Sequence, residues 1–421
     1  MSIFKRYPLL LTIGLAVLVL LTACSSIIAS GGLASSAGNG DQEQPSGVIA
    51  QPDGDTSTPE NSEVDDNEEQ MMTEDDRSDL LRSITRNWST NWNRRLIEYD
   101  EIRSGGPPRD GIRSIDDPKF ISPEEASGWL VGNEPVIALE IDGDARAYPL
   151  QIVTWHEIVN DVIGEVPAVV TFCPLCNSAL AFDRRVDGSV FEFGVSGLLR
   201  NSDLIMYDRT TETLWQQFTG EGIVGDLTGT RLTFLPTAIV SFDDFRKANP
   251  DGSVLSRDTG LRGSYGTNPY AGYDTYDNIL SAGGNLILFE GDADGRLAPN
   301  DRVVTVTIDD LGIEVAYPLA ILSEVGVIND SQGERDLVVF LKAGTASALG
   351  ASIIAEAEDV GATGVFDPWL GSEKLTFRVE GDRIVDNETG STWNILGQAV
   401  DGPHEGETLS PVVHGDHFWF S

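Results

Sequence analysis

The stretch PVIALEIDGDARAYPLQIVTWHEIVNDVIGEVPAVVTFCPLCNSAL, Pro135 to Leu180, decides how the fold of this chain is read. Val136–Ile141 is an apolar run closed by an Asp-Gly pair, which suits one arm of a β-hairpin. Pro149 stands where proline favours the first turn of a helix, so a short helix is expected after Tyr148. Pro167–Phe172 is a branched, apolar run of the kind that forms a buried strand. It is followed at once by Cys173-Pro174-Leu175-Cys176.

The same pattern returns as VVTVTIDDLGIEVAYPLAILSEVGVINDSQGERDLVVFLKAGTASAL, Val303 to Leu349. Tyr148-Pro149-Leu150 matches Tyr317-Pro318-Leu319, Asn160-Asp161 matches Asn329-Asp330, and Ser178-Ala179-Leu180 matches Ser347-Ala348-Leu349, all in one register. Downstream, Asp208 and Trp215 find counterparts in Asp386 and Trp393. Self-similarity of this length reads as an internal duplication. The expected fold is α+β and mostly β: two related β-rich units over residues 80–285 and 286–421, with short helices.

Each copy is a control for the other. Positions shared by both belong to folding. Positions where only the first copy carries reactive groups are candidates for function. His156 faces Val325, Cys173 faces Lys342 and Cys176 faces Thr345, so three soft or titratable groups are absent from the second copy together. His156 is expected on the short helix, with Asn160 one turn further along the same face. A Cys-x-x-Cys turn brings both sulfurs to one side, where they can bond each other or share a metal. A nearby imidazole can lower a thiol pKa or itself ligate. Alternatively His156 is a structural histidine, and the cysteines close a tight turn as an inert disulfide.

The chain begins MSIFKRYPLLLTIGLAVLVLLTACSS. A basic start at Lys5 and Arg6 precedes an apolar run from Leu9 to Leu21, too short for the roughly 20 residues of a membrane span but suited to an export signal. Leu21-Thr22-Ala23-Cys24 resembles the bacterial lipobox, which implies cleavage after residue 23 and acylation of Cys24. More than one acyl chain there makes anchoring stable. Residues 24–79 are Gly, Ser, Asp, Glu, Gln and Pro with almost no aromatic or branched side chains, and read as a disordered acidic stalk. The expected location is extracytoplasmic, lipid-anchored to the cell membrane or envelope, with the membrane as partner.

Sixty-seven Asp and Glu against 28 Lys and Arg give a formal charge of −39. Nucleic acid and anionic lipid surfaces need a basic footprint and are set aside. Of three cysteines, lipidation of Cys24 leaves Cys173 and Cys176, which is too few for a disulfide framework in a chain this long. They form a local device.

With these motifs in hand the chain resembles the family catalogued as domain of unknown function 3179. The resemblance rests on GGPPRDGI (Gly105–Ile112), RAYPLQIVTWHEIVND (Arg146–Asp161), VVTFCPLCNSALAFDR (Val169–Arg184), GVSGLLRNSDLIMYDRTTETLWQQ (Gly194–Gln217) and GSYGTNPYAGYD (Gly263–Asp274). It covers most of Leu96 to Asp274, with a degraded second copy covering the rest. One departure is that the chain stops at His414–Ser421, where the pattern is expected to continue. The resemblance implies kinship and no established activity. Its motifs add a polar loop, Ser196 to Asp203, that the second copy shortens to a few residues around Glu380-Gly381-Asp382. Asn160, Arg200, Asn201 and Asp203 are therefore candidate pocket residues. Met206 reads as core. His404, His414 and His417 could supply an outside ligand but have no spacing support.

Three functions follow. The first is a metal site of His156, Cys173 and Cys176 that suits zinc or cuprous copper. The second is a thiol–disulfide protein using Cys173 and Cys176. The third is a non-catalytic envelope binding or structural module. A nucleophilic hydrolase is disfavoured, because no Gly-x-Ser-x-Gly turn with partner His and acid is present.

Overall fold

A computed structural model describes residues 77–421 other than 281–285, 290, 292 and 309–310. These residues lie in one compact unit, Asp66–Ser421. The export signal, Cys24 and the acidic stretch through Asp76 fall outside the described residues. Among the described residues no helix is long and apolar enough to cross a membrane. The chain from Ser78 onward opens with a short helix, Asp79–Ile84, capped by the Ser78 hydroxyl.

The architecture is mostly β with short helices. Pro135–Ile141 and Asp144–Pro149 form a hairpin across the Asp142-Gly143 turn. Both turn residues have positive φ, as a two-residue hairpin turn requires. The helix Leu150–His156 follows Pro149 directly. Ile158–Ile163, Val166–Cys173 and Ser178–Asp183 then make three neighbours of a four-stranded antiparallel sheet completed by Thr233–Leu235. The hairpin itself sits in a five-stranded sheet between Ala238–Ser241 and Ser253–Leu255. A third sheet is built on the long hairpin of Phe193–Arg200 and Asp203–Asp208, flanked by Ile102–Ser104 and Leu214–Gln216.

The same order of elements recurs downstream: hairpin Arg302–Ile308 with Ile313–Pro318, helix Leu319–Val325, then Val327–Gln332 and Arg335–Lys342. The positions matched between the two stretches perform matched tasks. Tyr148 donates its hydroxyl to Asp161 at 2.6 Å, and Tyr317 donates to Asp330 at 2.8 Å. Asn160 clamps the Phe193 backbone, giving to its carbonyl at 2.8 Å and accepting from its amide at 2.9 Å. Asn329 does the same to Phe377, both bonds at 2.8 Å. Trp215 and Trp393 donate their indole N–H to Asp208 and Asp386. Phe193 and Phe377 meet those indoles edge-on.

One local expectation is corrected. The helix ends at His156, and Asn160 lies in the strand that follows rather than on a further helical turn. Glu157 takes φ 59° and ψ −29°, which turns the chain, and the branched pair Ile158-Val159 then favours the extended state. Phe172, Val170, Tyr148, Leu150 and Ile152 fill the space between helix and sheets. Each fully buried side chain of this kind adds roughly 1.5–3 kcal/mol of transfer free energy. The sheet carrying Cys173 is thereby a rigid platform.

Candidate metal centre

Val166–Cys173 and Ser178–Asp183 pair until Cys173 faces Ser178, so Pro174–Asn177 is the turn that joins them. The turn puts Cys176 beside Cys173, and both are free thiols with almost no exposed surface. A second element arrives from the long hairpin. Its turn residues Asn201 and Ser202 both have positive φ, and Arg200 pairs with Asp203 across it. This delivers the Ser202 carbonyl to within 3.7 Å of the Cys173 Sγ, which donates to it. Likewise the Cys176 Sγ donates to the Asp203 Oδ1 at 3.8 Å.

Cys173, Cys176 and Asp203 therefore form a group that could hold a metal ion, with their ligand atoms all within 4.8 Å of one another. In a tetrahedral site with metal–sulfur near 2.3 Å and metal–oxygen near 2.1 Å, sulfur and oxygen lie about 3.6 Å apart. The Cys176–Asp203 separation of 3.8 Å is already close to that.

The surroundings keep charge off these groups. The donors to Asp203 are the Gln216 amide, the Phe218 backbone N–H at 3.0 Å, the Leu204 backbone N–H and Cys176, all uncharged. Burial pushes the Asp203 carboxyl up to about 6, against those hydrogen bonds. Burial also pushes the Cys176 thiol well above its ordinary range, with the neighbouring Cys173 adding to the effect. Desolvation is the dominant cause in both, and a bound cation would offset it. The C-terminal strand closes one side, where the Phe418 amide donates to the Cys176 carbonyl at 3.0 Å. The His417 ring packs edge-on against Phe218 at 4.7 Å.

His156 does not join this group, contrary to the expectation from sequence. Its Nδ1 lies 2.7 Å from the Arg113 carbonyl and its Nε2 lies 2.6 Å from the Tyr265 hydroxyl. A carbonyl only accepts, so Nδ1 carries the proton and Nε2 accepts from Tyr265. Both ring nitrogens are spent, and burial lowers the pKa, which favours the neutral ring. The third donor beside the sulfurs is Asp203. Asn160 is held by Phe193 and Asp116. Arg200 pairs with Glu101 at 2.7 Å, and Asn201 forms the hairpin turn. Of the four candidate pocket residues, Asp203 is the one brought to the cysteines. His417 is also satisfied, through Phe418 and Thr305.

Glu157 is a residue the sequence reading passed over. It is buried, with its carboxyl pushed up to about 8 by desolvation and the Tyr270 hydroxyl 3.5 Å away. The Tyr270 hydroxyl is pushed well above its ordinary range by burial, and the charges of Glu157 and Cys173 add to the shift. The signal was present in the alignment of the two similar stretches of sequence. Glu157 occupies the position of Gly326, whose φ of 72° and ψ of −29° are nearly identical. Glycine adopts that conformation at little cost, whereas a glutamate there stores strain of about 1–3 kcal/mol.

At the corresponding turn downstream, Lys342 ion-pairs with Asp244, and Thr345 is a buried hydroxyl. The extra reach of the first hairpin is explained by its register. Phe193 pairs with Asp208, fifteen residues on, whereas Phe377 pairs with Asp386, nine residues on. Both hairpins turn on two residues, so the shortening expected in the loop lies in the strands.

Comparison with known families decides the kinship. Residues 109–421 match the pattern described as a protein of unknown function, DUF3179. The chain belongs to the DUF3179 family. The match runs through the downstream elements to residue 421, so these belong to the family pattern itself and do not trail after it. No curated protein and no solved structure matches the chain.

Proposed function

We propose that this DUF3179 protein is an extracytoplasmic, membrane-anchored lipoprotein that holds a soft metal ion, zinc or cuprous copper, on Cys173, Cys176 and Asp203. The observation that carries the metal reading is the buried group of two thiols and a carboxylate within 4.8 Å, with no charged donor among its hydrogen bonds. Two thiolates and one oxygen suit zinc, and a majority of sulfur suits cuprous copper. Three protein ligands leave a fourth position for a further donor. The anchor reading rests on the apolar run before Leu21-Thr22-Ala23-Cys24 and on the acidic stretch after it.

A thiol–disulfide role for Cys173 and Cys176 is less well supported. Exchange needs an accessible thiolate, whereas here burial raises the Cys176 thiol and covers both sulfurs.

The test uses the full chain extracted from membranes in detergent without reductant. Metal is counted by mass spectrometry and free thiols by titration, for wild type and Cys173→Ser. Stoichiometric zinc or copper that Cys173→Ser loses supports the reading. A closed Cys173–Cys176 disulfide with no metal under any redox condition sinks it. The anchor is tested separately by Cys24→Ala, which should move the chain from the membrane to the soluble fraction.

A further inference from the structure

A cavity of about 200 Å³ opens between the upstream and downstream sheets, and no cysteine lines it. Its origin is legible in the strand registers. Ala138 pairs with Ala238 on one side and Ala147 on the other, and Glu140 pairs with Ala145. Small side chains at Ala138, Ala145 and Ala238 leave unfilled the space between their sheet and the facing Val365 and Phe366. A dry cavity of about 150 Å³ is enough to hold benzene. This one has room for a single ring with a substituent.

Its wall carries a histidine with unspent capacity. His414 is buried at 7% exposure and lines the cavity. Its Nδ1 lies 2.8 Å from the Val412 carbonyl, so Nδ1 holds the proton and Nε2 presents a lone pair. Among the described residues Nε2 has no hydrogen-bond partner, unlike both nitrogens of His156 and His417. Burial lowers the His414 pKa and so favours the neutral, accepting ring. Glu140 and Asp142 line the same space with carboxylates, which disfavour an anionic occupant.

We propose that this cavity binds a small uncharged or cationic molecule with an apolar ring and one N–H or O–H group, which donates to His414 Nε2. The apolar lining supplies the attraction and the lone pair supplies the selectivity. A ligand seated against the ring covers Nε2 from water, so one that can donate to it is favoured over its isostere that cannot. The inference does not depend on the metal reading, since none of the three ligand residues lines the cavity.

The test titrates phenol, benzylamine, toluene and benzoate into the full chain in detergent by calorimetry. Phenol and benzylamine should bind at least about tenfold more tightly than toluene, the worth of one hydrogen bond. Benzoate should show no binding. Ala238→Phe, at a half-buried position, fills the cavity and should abolish phenol binding while the melting transition is kept. In nitrogen-15 spectra of the wild type, the His414 Nε2 resonance should move with phenol and stay with toluene. Equal affinity for phenol and toluene, no binding of any probe, or unchanged phenol binding in Ala238→Phe overturns the proposal.

Discussion

Glu157 shows most sharply how one side chain can work against the fold that holds it. Its carboxyl titrates at about 8 in the folded chain and at 4.5 when free, so the folded state holds the extra proton between those values. Stability from this group is fully present below pH 4.5 and is lost as pH rises through 8, at up to about 1.4 kcal/mol per pH unit. Glu157→Gln should therefore match wild type near pH 4.5 and melt higher than wild type at pH 8. Parallel melting curves across that range would show that the carboxyl is not desolvated. Glu157→Gly should add about 1–3 kcal/mol at neutral pH by releasing the left-handed strain, read from urea midpoints. Sequence could have exposed this residue, since aligning the two similar stretches sets it opposite Gly326. It could not expose His156, whose partners Arg113 and Tyr265 are remote in the chain and fix its ring by contacts no spacing reveals.

Among elements, the hairpins and their asparagine clamps separate scaffold from site. Asn160 is buried and holds both backbone groups of Phe193, whereas Asn329 is exposed and holds those of Phe377. Removing a buried partner leaves unsatisfied groups at about 1–3 kcal/mol each, and water replaces an exposed one. Asn160→Ala should cost about 2–4 kcal/mol and Asn329→Ala about 1 kcal/mol or less, measured by chemical denaturation. Equal losses would contradict this difference in burial. The hairpins, the proline-led helices and the buried strand into Cys173 were all legible, because local turn chemistry and apolar runs specify them. The meeting of Asp203 with Cys176 was legible only as a polar stretch. It depends on two strands that pair at six positions, across a bulge, where their downstream counterparts pair at four, and on a cross-sheet approach that no local pattern encodes.

For the whole molecule, 67 acidic residues against 28 basic ones leave a formal charge of −39. Self-repulsion then weighs more than the screened loss of surface ion pairs. The melting midpoint should rise as salt goes from about 0.05 to 1 M, over which the Debye length falls from above 10 Å to about 3 Å. A falling midpoint would mean that the surface ion pairs dominate. The mostly β class followed from composition and pattern, and the family match from several motifs in order. The proposed metal chemistry rests on three side chains, two at the end of one sheet and one from the long hairpin of another. X-ray absorption on the metal of the purified full-length chain tests it most directly. The expected result is about one zinc or copper per chain with two sulfur neighbours and at least one oxygen, and no metal in Asp203→Asn. A metal-free chain that stays metal-free after reduction and loading with zinc and cuprous copper would contradict it.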